Sequence, residues 1–167
     1  MNLAQRIQED FKRALKERNE KEIRILRLLM AVLLNKEKEK RVILARKQKD
    51  LSEKELIEAS KLNDEEVIEA LSFELKKRKE AIAEFEKGKR EDLIKKEKEE
   101  IEILQRYLPK QLTSEEIEDL CSQVIKDIGA KDLKDFGKVM QIVMPKLKGR
   151  ADGKEVSAIV KKLLSLS

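Results

Sequence analysis

Between Asn63 and Gly88 the chain carries Val67, Ile68, Leu71, Leu75, Ile82 and Phe85 on a single stripe. Apolar residues returning every three and four positions describe one face of an α-helix. Asn63 followed three residues later by Glu66 is the signature of a capping box, and Gly88 ends the run. This grammar recurs. Ser52 with Glu55 opens a short helix over about 53–61, and Thr113 with Glu116 opens one that runs to about Ile128, where Gly129 stops it. Composition agrees with the pattern. Charged residues make up 44% of the chain, aromatics 3%, and there are only five glycines and two prolines, which favours helix over sheet. The expected fold class is all-α.

The remaining elements follow from the same periodicity. A first helix is expected from about Asn2 to Glu17, with Leu3, Ile7, Phe11, Ala14 and Leu15 on one face, then a polar turn over Arg18–Lys21. A second helix begins near Glu20 and carries Ile23, Leu26, Met30, Leu33 and Leu34, flanked by Ile25, Leu29 and Val32. So broad an apolar surface calls for more than one neighbour. After Gly88, another helix from about Arg90 to Tyr107 uses Leu93, Ile94, Ile101 and Leu104. Two long helices joined by a few residues pack antiparallel and complete an N-terminal helical bundle over 1–107. Pro109 disfavours helix at Leu108, which makes 108–112 a linker. The rest, 113–167, reads as a compact C-terminal three-helix module.

Several function classes are excluded on residue type. There is no histidine and one cysteine, so no standard zinc site can be built and no metal is expected. Cys121 falls on an apolar helical face beside Leu120 and Val124. No Walker loop, nucleophile elbow or dinucleotide fingerprint occurs. The many acids alternate with lysines at helical spacing, as on a solvated face, so no catalytic constellation is visible and no cofactor is expected. The apolar run Leu28–Leu34 is far too short to span a bilayer, and no signal peptide opens the chain. A cytoplasmic protein with no membrane partner is expected.

The candidate binding residues lie late in the chain. Val139, Met140, Val143, Met144 and Leu147 form the buried face of a helix from about Asp135 to Lys148, which Gly149 ends. Asp152 then caps the last helix, with Glu155 as its capping-box partner. Lys146, Lys148, Arg150 and Lys154 crowd this turn, and Lys138 lies on the helix before it. From Gly137 onward seven Lys/Arg face two acids, a balance of +5; from Thr113 to Phe136 three lysines face seven acids, a balance of −4. One end of the module is thus expected to be acidic and the other basic, a layout that orients a polyanion. Because Asp152 occupies the helix start, phosphates are expected to meet the side chains of Lys138, Lys146, Lys148, Arg150 and Lys154, not the helix end. The alternative is a capped helix connection whose charges are merely solvated. A second basic stretch, Lys36–Lys49, carries seven cations against Glu37 and Glu39, either as exposed helix surface or for an anionic partner.

Certain runs carry a resemblance. They are Arg24 to Leu34 followed by Asn35, Glu74-Leu75-Lys76-Lys77-Arg78-Lys79-Glu80, Glu84 to Leu93 with Gly88 and Arg90, Tyr107-Leu108-Pro109 with Gln111-Leu112, Gly137-Lys138-Val139-Met140, and Met144 to Lys154. In this order and spacing they resemble the GatB/YqeY family, in its free-standing YqeY-like form, over nearly the full length; 46–62 aligns least well. The resemblance implies an N-terminal helical domain and a C-terminal module similar to the tail of the aminoacyl-tRNA amidotransferase B subunit. It therefore implies a non-catalytic tRNA-binding accessory protein. Scarce aromatics point to structured RNA over single strands. Two other readings stay open: a protein-interaction module docking on an aminoacyl-tRNA synthetase or amidotransferase, and a component of glutamine-dependent carbon–nitrogen ligase activity, which the family's label implies.

Overall fold

Four helix starts are fixed by reciprocal capping boxes. The side chains of Asn2, Ser52, Asn63 and Thr113 accept from the backbone N–H three residues on, and the side chains of Gln5, Glu55, Glu66 and Glu116 accept from the cap residues' own N–H groups. The computed structural model describes residues 1–166. Within them the chain is all-α, with eight α-helices, one short 3-10 helix at Leu133–Asp135 and no strand. The α-helices are α1 (Leu3–Glu17), α2 (Glu20–Lys47), α3 (Glu53–Ala59), α4 (Asp64–Lys87), α5 (Glu91–Gln105), α6 (Ser114–Ile128), α7 (Phe136–Leu147) and α8 (Gly153–Ser165). They divide into two compact units, Met1–Tyr107 and Leu108–Ser167. Among the described residues, no helix is long and apolar enough to cross a membrane; Leu28–Leu34 is an internal part of α2.

In the first unit, α1 packs on α2 and α4 on α5, with α2 also meeting α3, α4 and α5. Ile7, Leu26, Leu29, Leu71 and Leu104 are fully enclosed, each large side chain contributing about 2 kcal/mol. The connection between α1 and α2 is shorter than the expected polar turn. Arg18 takes a left-handed conformation (φ 56°), and Asn19 already caps α2 by accepting from Glu22 N–H at 3.3 Å. At the far end of α4, Gly88 keeps an ordinary φ of −88° and Lys89 takes the left-handed one, φ 52°. The spacing of α2 has a further consequence. Its 28 residues outnumber the 15 of α1 by 13, so its last turns extend beyond its partner by about 20 Å. That extension is held on one side only. Lys40 Nζ donates to Lys61 O at 3.1 Å and to Glu66 at 2.8 Å, and Arg41 Nε donates to Ser60 Oγ at 3.2 Å.

In the second unit, three helices enclose one core. Ile117, Cys121 and Val124 come from α6, Val139, Val143 and Leu147 from α7, and Val156, Val160 and Leu164 from α8. Each set repeats at intervals of three or four, which is why each helix turns one stripe inward. Phe136 at the start of α7 lies under Lys161 near the end of α8, while Met144 approaches Gly153 at the other end, so α7 and α8 run antiparallel. Burial pushes the Cys121 thiol above its ordinary pKa, leaving it an unreactive core residue.

Candidate nucleic-acid interface

The inward repeat of α7 decides where its cations go. With Val139, Val143 and Leu147 buried, Lys138, Gln141, Ile142, Pro145 and Lys146 fall on the outer side, and all five are exposed. Lys138 and Lys146 are eight residues apart, about 12 Å along the axis, with Ile142 between them on the same ridge. No Asp or Glu occurs anywhere in α7, so no carboxylate from this helix offsets those charges. Among the described residues Lys138, Lys146 and Lys148 form no ion pair.

Beyond α7 the chain reverses through a type II turn, Leu147-Lys148-Gly149-Arg150. Lys148 has φ −54° and ψ 124°, Gly149 has φ 76°, and Arg150 N–H donates to Leu147 O at 2.9 Å. The helix therefore ends at Leu147, one residue earlier than the spacing indicated. Gly149 is required at the third turn position because that position needs positive φ. Lys148, at the second position, is exposed at the corner.

The stretch 108–112, expected to be a linker, is stitched to this turn. Leu112 N–H donates to Arg150 O at 2.9 Å, Gln111 Nε2 donates to Gly149 O at 2.7 Å, and Arg150 Nε donates to Lys110 O at 3.3 Å. Arg150 is thus partly occupied in holding backbone, although its terminal guanidinium N–H groups keep further donor capacity. Lys110 joins the candidate cations, with its side chain 82% exposed and 3.9 Å from Glu116. Its local sequence, beside a proline at a boundary, gave no sign of a place in the site.

Asp152 caps α8 as expected, accepting from Lys154 N–H at 3.1 Å. Glu155 does something else. Its carboxylate accepts from Ser114 Oγ at 2.6 Å, tying the first turn of α8 to that of α6 where a box with Asp152 was expected. Glu116, at the start of α6, is brought to the basic turn, 3.9 Å from Lys110, whereas Asp132 and Asp135 precede α7 at its other end, so the acids of 113–136 are divided between the two ends. The structure groups Lys146, Lys148, Arg150 and Lys154 around one end of the module, together with Glu116, Asp152 and Glu155. It places Lys138 at the opposite end of α7, joined to Lys146 by the acid-free ridge. No group of three or more His, Cys, Asp or Glu side chains among the described residues is placed to hold a metal ion.

Comparison with protein families matches a model described as Yqey-like protein to residues 4–164. The chain belongs to the YqeY-like family. A search of curated proteins finds no match.

The YqeY-like landmarks divide by what their side chains touch. Those of the first unit serve its interior in part, while the run 84–93 is largely exposed. Within the run 74–80, Glu74 and Arg78 are buried, and Arg78 bonds Glu100 and, at 3.0 Å, Glu97 of α5. Arg24 reaches Glu100 from α2 at 2.9 Å, so Glu100 lies between two guanidinium groups. Such groups are buried at a cost and are tolerated because each charge is paired. The landmarks 137–140 and 144–154 of the second unit, by contrast, place cations on the surface while their apolar members build the core.

Proposed function

We propose that this protein is a non-catalytic RNA-binding accessory protein that contacts the sugar–phosphate backbone of structured RNA, with tRNA as its target. The observation that carries this reading is the outer face of α7, where Lys138 and Lys146 lie on one exposed ridge with no carboxylate on the helix and Lys148 continues it at the turn. Unpaired lysines gain most from a phosphate, because binding releases counterions and breaks no ion pair. Arg150, Lys110 and Lys154 flank the same end and widen the footprint. The contact positions the RNA and reads little sequence, since lysines on a ridge reach backbone oxygens and not base edges in a set pattern. The chain has four phenylalanines, one tyrosine and no tryptophan, too few stacking surfaces for single-stranded RNA.

The choice of tRNA comes from the resemblance of the C-terminal module to the tail of the amidotransferase B subunit, and a cytoplasmic location accords with it. The test is charge reversal on the ridge. Lys138→Glu combined with Lys146→Glu is expected to weaken binding to bulk tRNA by at least about tenfold, roughly 0.7 kcal/mol per residue, with an unchanged far-ultraviolet circular dichroism spectrum. Undiminished binding by the well-folded double variant removes α7 from the interface.

A further inference from the structure

The extension of α2 beyond α1 carries a second surface that the RNA reading does not use. On its inner side Lys40, Arg41 and Leu44 are half-buried against α3 and the start of α4. The outer side is uncovered. There Lys38, Val42 and Arg46 form one ridge at four-residue spacing, and Ile43 and Lys47 lie on the next. Val42 is 51% and Ile43 52% exposed. No ion pair holds Lys38, Arg46 or Lys47 among the described residues, whereas Glu39, the nearest acid on this side, pairs with Lys36 at 3.4 Å. An apolar pair is therefore framed by three uncompensated cations on a helix already fixed in the bundle.

We propose that this outer face of α2 docks an acidic amphipathic helix of a partner protein. The face asks for complementarity of two kinds at once. Burying Val42 and Ile43 requires apolar side chains opposite, and Lys38, Arg46 and Lys47 require carboxylates flanking them. Other occupants fit less well. A phosphate backbone satisfies the cations but leaves two β-branched side chains against a polar surface. A second copy of the chain opposes seven cations and two acids with the same excess over 36–49. An interfacial membrane helix carries Trp, Phe or Leu on its apolar face, and between Lys38 and Lys47 these two ridges carry none.

The inference is independent of RNA binding and is tested without RNA. The probe is a synthetic helical peptide with leucines at three-and-four spacing and glutamates flanking them, titrated by fluorescence anisotropy with the intact chain. Binding with a dissociation constant of about 100 µM or tighter is expected. It is expected to weaken about tenfold for Val42→Asp with Ile43→Asp, and separately for Arg46→Glu with Lys47→Glu. Lys138→Glu with Lys146→Glu is expected to leave it unchanged. These positions are on the surface, so the variants are expected to fold, with circular dichroism as the check. No binding at millimolar peptide overturns the proposal, as does equal binding of a scrambled peptide lacking an apolar face. Two further results overturn it in favour of another occupant: a dimer in sedimentation that Val42→Asp with Ile43→Asp dissolves, or flotation with phosphatidylserine vesicles that the same variant abolishes.

Discussion

The side-chain amide of Gln111 donates to the carbonyl oxygen of Gly149 at 2.7 Å and to that of Pro109 at 2.9 Å. This side chain therefore reaches across 38 positions of the sequence and holds the segment before α6 against the basic turn. Gln111→Ala leaves two half-enclosed carbonyl groups without this donor, at an expected cost of about 1–2 kcal/mol. The measurement is chemical denaturation, accompanied by hydrogen exchange at Leu112 and Arg150, whose amides are expected to lose protection.

Two glycines in the candidate site are expected to respond oppositely to alanine. Gly149 has φ 76°, where a Cβ is strained, so Gly149→Ala is expected to destabilise by about 1–2 kcal/mol. Gly137 lies in the first turn of α7, and a Cβ there meets nothing within 4 Å. Gly137→Ala is expected to stabilise by about 0.5–1 kcal/mol. Thermal unfolding of the two variants reads both signs.

Arg78 is central to the first unit. Removing it leaves Glu100 and Glu97 facing each other around a vacated site, with Glu100 only 6% exposed. Arg78→Ala is expected to cost about 3 kcal/mol or more. Replacing Arg78 and Glu100 together by methionine is expected to recover much of that loss. A double variant no more stable than Arg78→Ala contradicts the reading of these groups as a mutually compensating pair.

Tyr107 is the only tyrosine, so its ionisation can be followed alone by absorbance near 295 nm. Burial raises its pKa, reinforced by the 2.6 Å bond its hydroxyl donates to Asp10. Folding therefore favours the neutral phenol. Its contribution is fully present below the unfolded value near 10 and is lost as pH rises from there toward the higher folded value. The absorbance change is expected to coincide with alkaline unfolding. Tyr107→Phe is expected to flatten the stability curve above pH 10, and an ordinary titration in the folded state contradicts this.

How much was legible follows the distance over which each signal acts. The capping pairs Ser52–Glu55, Asn63–Glu66 and Thr113–Glu116 are local, three residues apart, and the helices begin where they indicate. The all-α class follows from the same periodicity. Contacts between distant segments were hidden. Glu155 bonds Ser114 and Arg150 bonds Lys110, across 41 and 40 residues, and no spacing rule encodes either. The same folding brings Glu116 to the basic turn and leaves Asp132 and Asp135 at the other end of α7, so charge counted along the chain does not give charge in space. The relation of Lys138 to Lys146 was readable from helical geometry, because eight residues are close to two full turns. Lys89, and not Gly88, takes the left-handed conformation because the chain reverses one residue after the glycine.

The most direct test of the RNA reading is the salt dependence of tRNA binding. Labelled bulk tRNA is titrated with the intact protein at several salt concentrations, in parallel with Lys138→Ala and Lys146→Ala together. The account predicts micromolar or tighter binding near physiological salt, with log K falling linearly against log salt. It also predicts a slope about two units shallower for the double variant, one for each lost phosphate contact. No binding at low salt, or a slope identical in both proteins, contradicts it.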